Sequence, residues 1–118
     1  MSTTDINLVR DFTAAPGARY KWQGAFSGEE FRDDFLRPAL QSGDVLLDLN
    51  GALGLPSSFL DEAIAVMIEG DRSLLGRIRV RLDDNTAARI IFSETIENRL
   101  GSGAAQKILL PVSHLAYC

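Results

Sequence analysis

The stretch Asp44–Ala63, "DVLLDLNGALGLPSSFLDEA", compresses a strand, a tight loop and a helix start into one short passage. Val45, Leu46, Leu47 and Leu49 make a short continuous apolar run that closes on Asp48, Asn50 and Gly51. A run of this kind reads as a strand buried on both faces. "NGALG" then calls for a tight turn with positive φ. No lysine follows it, so a phosphate-cradling P-loop is not indicated. After Pro56 a helix begins at Ser57 or Ser58. Leu60, Ile64, Met67 and Ile68 form its apolar stripe, with Phe59, Ala63 and Val66 beside it. Asp61, Glu62, Ala65 and Glu69 are left for solvent, and Gly70 marks the end.

Upstream, "AFSGEEFRDDFLRPAL" opens with Ser27 and Glu30 at capping-box spacing, and Phe26 and Phe31 flank them at the spacing of a hydrophobic staple. Phe31, Phe35 and Leu36 form a stripe that leaves Glu29, Arg32, Asp33 and Arg37 in water. Pro38 predicts a kink or an end near Arg37. Before this helix, "INLVRDF" (6–12) and "ARYKW" (18–22) read as two strands joined by "TAAPG", an antiparallel hairpin.

Downstream, "GRIRVRL" alternates strictly, with Ile78, Val80 and Leu82 on one face and Arg77, Arg79 and Arg81 on the other. Asp83 or Asp84 can cap a helix over "TAARIIFSETIENRL", with Ala88, Phe92, Ile96 and Leu100 as its stripe and Gly101 as its stop. "RIIFS" also fits a strand. "KILLPV" (107–112) reads as a last short strand that Pro111 places near an edge. The order is β-β-α-β-α-β-α-β: an α/β domain with a mixed sheet and helices packed on it.

The 118 residues suit one domain with a single core. A net charge of −4 works against nonspecific association with nucleic acid or anionic lipid. Cys118 is the only cysteine, so no intrachain disulfide or cysteine metal cluster can form, and it reads as a frayed terminus. The start "MSTTDINLVRDF" lacks a secretory pattern and no stretch is long enough to cross a bilayer, so a cytoplasmic location is expected.

Several patterns invite chemistry. Arg77, Arg79 and Arg81, with Tyr20, Lys21 and Trp22, suggest a stacking nucleic-acid platform. With a negative overall charge, a solvated face or guarded edge strand is the expected reading. His114 stands without a partner nucleophile, and no Gly-x-Ser-x-Gly or His-Glu-x-x-His pattern occurs, so no catalytic residue is assigned. Asp48 ends a strand as a receiver aspartate does, but only Asp11 stands where such a domain carries its magnesium-holding acidic pair. Asp48 is expected instead to bond to the Ser57–Ser58 turn. Asp61 and Glu62 suit a helix dipole, and neither a metal nor a cofactor is expected.

"FSGEEFRDDFLRPAL", "VLLDLNGALGLPSSFLDEA" and the strand and helix after them resemble a family of STAS-like domains of unknown function. These are related in fold to the STAS domains of bacterial anti-sigma factor antagonists. Ser27, Gly28, Glu29, Asp48, Ser57, Ser58, Phe59, Asp61 and Glu62 stand in the matching places. In the antagonists a serine at this turn is phosphorylated by a histidine-kinase-like ATPase, which breaks the complex between them. The resemblance therefore implies a non-enzymatic regulatory module with Ser57 and Ser58 as candidate phospho-acceptors. Its expected partner is such an ATPase or an anti-sigma-type regulator, and Asn50, Gly51, Gly54, Asp61 and Glu62 belong to the contact surface. Antagonists usually place aspartate before the serines and glycine after them, where this chain has Pro56 and Phe59. The competing readings of the serines are a plain helix cap, with Ser58 and Asp61 as a capping box, and an anion site for a small ligand or nucleotide at the helix N-terminus.

Overall fold

Strand β1, Ser2–Asn7, forms from the β-branched Thr3, Thr4 and Ile6. It ends where the Asn7 side chain accepts a bond from the Arg10 N–H and caps the short helix α1, Leu8–Asp11. The Asp11 carboxylate accepts from the Asn7 N–H in return. The first strand therefore lies upstream of the expected 6–12. The computed structural model describes residues 2–84 and 86–111, so Val112, His114 and Cys118 lie outside it.

"ARYKW" is not a strand, and the expected hairpin does not form. The Ala18 and Arg19 carbonyls accept from the N–H groups of Gly28 and Glu29, closing off the start of the next helix. Lys21–Gln23 is a single 3-10 turn. With those groups engaged, the segment has little backbone left to offer a ladder.

Helix α2 spans 28–42. The Ser27 hydroxyl accepts from the Glu30 N–H at 3.0 Å, and the Glu30 carboxylate accepts from the Phe26 N–H at 3.0 Å, so the expected box holds with its return bond one residue earlier. The staple works through a third ring: Phe12 packs against Phe26 at 5.4 Å and against Phe31 at 5.1 Å between centroids. Pro38 does not end the helix. The turn before it, Arg32–Leu36, widens to π geometry with Arg37 N–H bonding to the Arg32 carbonyl. A wide turn absorbs the missing proline donor and the crowded carbonyl without breaking the helix. The chain then passes straight into β2, Gly43–Asp48.

Helix α3, 57–70, follows the loop, and the 3-10 turn Arg72–Gly76 leads to β3, Ile78–Arg81. Helix α4, Ala87–Leu100, is capped by the Thr86 hydroxyl rather than Asp83 or Asp84. "RIIFS" is helical within it, with Phe92, Ile96 and Leu100 buried as expected. Within the described part of "KILLPV" there is a parallel bridge from Leu109 to Val80 and no longer pairing, because the first residues finish helix α5, Ala104–Ile108.

Among the described residues three strands stand in chain order, β1-β2-β3, and both pairs are parallel, so no antiparallel pair makes the sheet mixed there. Ser2 aligns with Gly43, and Val45 with Ile78. Helix α3 lies between α2 and α4 and packs on both over one face. Beneath them Leu47, Leu49, Ile78 and Val80 meet Phe31, Phe59, Phe92 and Ile64, all essentially sealed from solvent. Each such side chain contributes roughly 1.5–3 kcal/mol of burial.

Candidate functional site

Asp48 closes β2, and its carboxylate accepts from the Asn50 N–H at 2.9 Å while lying 3.5 Å from Arg81. It serves its own loop and the neighbouring strand, not the Ser57–Ser58 turn. Asn50 extends that brace by accepting from the Asp83 N–H at 2.8 Å, which ties the β2–α3 loop to the exit of β3. Gly51 takes φ 90°, the positive value that "NGALG" called for. The Leu53 N–H donates to the Ala14 carbonyl at 2.7 Å, while its side chain is 84% exposed at the crest of the loop. Gly54 is exposed and Leu55 turns into the core.

Pro56 is the cap residue of α3, with extended ψ of 138°, and its ring carries no acceptor for a helix N–H. Ser57 and Ser58 are the first two helical residues, and neither hydroxyl caps the helix. Ser57 is exposed and Ser58 half-buried. The expected capping box of Ser58 with Asp61 is absent because the Asp61 carboxylate is engaged elsewhere.

That engagement is a cluster of two carboxylates and three arginines. Arg99 of α4 grips Asp61 with two bonds, 2.6 and 2.7 Å, and Arg19 reaches it from the 13–26 loop at 2.6 Å. Glu62 receives Arg32 of α2 at 2.5 Å and Arg19 at 3.2 Å. The two adjacent acids thus face different neighbours, Asp61 toward α4 and Glu62 toward α2, with Arg19 bridging them. They sit in the second wide turn of the fold, Asp61–Ala65, where the Val66 N–H bonds to the Asp61 carbonyl. Both are about 8% exposed, and Ala65 is buried too, so only Glu69 keeps the solvent-facing place expected for all four. Burial alone would raise the Asp61 pKa. The hydrogen bonds from Arg99 and then Arg19 outweigh it, and hold the carboxyl below the usual aspartate range.

Ser57, Arg19, Asp61, Thr95 and Arg99 border one cavity of about 460 Å³. The exposed serine therefore opens onto the arginine cluster. A wider groove of about 650 Å³ runs between α2 and α3 past Arg32, Leu40 and Met67, and includes neither serine. The structure brings Ser57 and Asp61 to one site and places Asn50, Gly51 and Gly54 on the adjoining loop. Glu62 looks away into the groove. The pairing roles of Arg19 and Arg99 were missed from the sequence, and Arg32, expected in water, is largely withdrawn from it against Glu62. Their one signal was the acidic pair standing inside an otherwise apolar helix, which asks for buried counter-charges.

No curated protein and no solved structure matches this chain. A family model does match residues 27–85, from the Ser27 cap through both wide-turned helices to the exit of β3. That span carries the Ser-Gly-Glu helix start, the aspartate-ended strand and the paired serines whose geometry is given above. The chain belongs to the family described as STAS-like domain of unknown function (DUF4325).

Proposed function

We propose that the domain is a non-enzymatic regulatory module that meets a protein partner through the 49–56 loop and the first turn of α3, with Ser57 as its phospho-acceptor. The observation that carries this reading is the Ser57 hydroxyl, exposed at a helix start and free of any capping duty. A helix that already starts on Pro56 has no structural need of that oxygen. Phosphate there adds close to two negative charges beside free N–H groups and within the cavity shared with Arg19 and Arg99, so the domain itself tolerates it. A partner surface pressed on the same turn must instead desolvate the charge, and the complex loosens. Leu53, fully out in water next to this turn, supplies the apolar anchor such a contact uses.

The partner class that fits this mechanism is a histidine-kinase-like ATPase or an anti-sigma-type regulator. Capture on the immobilised domain from the native host identifies it, and titration of the purified partner then tests the switch. Ser57→Asp lowers affinity at least tenfold, Ser58→Asp does so less, and both variants keep the wild-type circular dichroism. Unchanged affinity in Ser57→Asp removes the reading. A second reading, a nucleotide or small acidic ligand held at the same helix start, draws on the cavity and its two arginines. Those arginines are already bonded to Asp61 and Glu69, so an anion would have to displace a carboxylate. A thermal shift with nucleotides and acidic metabolites separates the two.

A further inference from the structure

Parallel sheets are normally covered on both faces. Here the strands stand in chain order, and crossovers of one hand put α2 and α3 on the same side, where they pack on each other. The opposite face is formed by the alternate residues: Thr3, Asp5 and Asn7 on β1, Asp44, Leu46 and Asp48 on β2, Arg79 and Arg81 on β3. None of these is buried.

The charges on that face are sorted. The acids lie on β1 and β2, and the arginines lie on β3. Two ion pairs close within the sheet, Arg77 with Asp44 at 3.2 Å and Arg81 with Asp48 at 3.5 Å. The middle row is different. Register sets Asp5 beside Leu46 and Leu46 beside Arg79, so an apolar residue separates the two charges by two strand spacings, about 10 Å. Among the described residues neither Asp5 nor Arg79 closes an ion pair within 4 Å, Asp5 having only the longer-range attraction of Arg10 beside it, and the Arg79 Nε is out of solvent without a hydrogen bond.

We propose that this face docks a second copy of the chain, sheet against sheet, about a two-fold axis running along β2. That axis reverses the order of the strands and preserves their rows. β1 of one copy then lies over β3 of the other, so that Asp5 meets Arg79 twice, once from each side. Leu46 meets its own counterpart at the centre, and Asp44 and Asp48 face their copies as neutralised pairs. An acid-to-base gradient across a sheet is self-complementary under this operation and under none that lays β1 on β1. Two strands of six residues and one of four offer roughly 15 by 20 Å, about 300 Å² a side and below the standard interface size, so the association is weak.

Sedimentation equilibrium on the full chain, from about 10 µM to 1 mM, tests it. The wild type shows a reversible dimer. Asp5→Arg and Arg79→Asp, each checked for folding by circular dichroism, weaken it at least tenfold when measured alone. Mixed one to one they restore a heterodimer near wild-type strength, because every Asp5–Arg79 contact is then again between opposite charges. Leu46→Lys abolishes the dimer, and it carries the test if Arg79→Asp fails to fold. A monomer at 1 mM overturns the proposal. So does a dimer indifferent to Asp5→Arg and Leu46→Lys, or a mixture of the two folded charge variants that fails to associate.

Discussion

Asp61 shows how a residue that reads as surface becomes structural. Three bonds from two arginines fasten it between a loop and α4, and each arginine is itself about 30% exposed, so losing the carboxylate leaves cations that can partly rehydrate. Asp61→Asn is expected to cost about 2 kcal/mol, below the 3–5 of a fully buried pair, as read from the urea midpoint. The pH dependence has a definite sign. The folded carboxyl titrates below its unfolded value of about 3.9, so its stabilisation is complete above that pH and is lost as pH falls toward the lowered value. The stability gap between wild type and Asp61→Asn should therefore be flat near neutrality and shrink below about pH 3.9. The serines divide in the same way. Ser27→Ala removes a cap bond made by a fully buried hydroxyl and should cost about 1 kcal/mol. Ser58→Ala removes no cap and should stay within about 0.5 kcal/mol. The capping box at Ser27 was legible because its residues are contiguous. The false one at Ser58 had the same spacing, and was overruled by Arg99, which lies 38 positions away from Asp61.

Gly28 governs how closely two helices approach. A methyl group placed on it would meet the Phe59 carbonyl oxygen at 2.5 Å and the Ala63 nitrogen at 3.2 Å, both backbone atoms of α3. Gly28→Ala must push α2 off α3 and is expected to cost about 1–3 kcal/mol, seen as a lower melting temperature with unchanged helix content. The helices themselves were readable from stripes of Leu, Ile and Phe, since a 3.6-residue period is a local property. Their wide turns were not. Pro38 hinted at the first, but whether a proline ends a helix or only widens it depends on what packs beyond it, and here Ala39 and Leu40 are held in the core. "ARYKW" misled for a related reason. Its alternation is real, but strand pairing needs free backbone groups, and two of its carbonyls serve α2.

At the level of the whole molecule, layer architecture followed from the alternation of strand-like and helix-like segments, and the central strand and its loop stood where the sequence put them. Strand direction was less legible. The supposed hairpin suggested a mixed sheet, and removing it leaves three parallel strands. Because position in the sheet repeats position in the chain, the sheet grows only at one edge. As the chain emerges during synthesis, β2 pairs with a β1 already made, and β3 with a β2 already made. No strand waits for a later one to be threaded between itself and its neighbour. Ribosome-bound chains arrested just long enough for residues 1–70 to have cleared the exit tunnel should accordingly already protect the amides shared by β1 and β2 from exchange, before Arg99 has emerged to lock Asp61 in place.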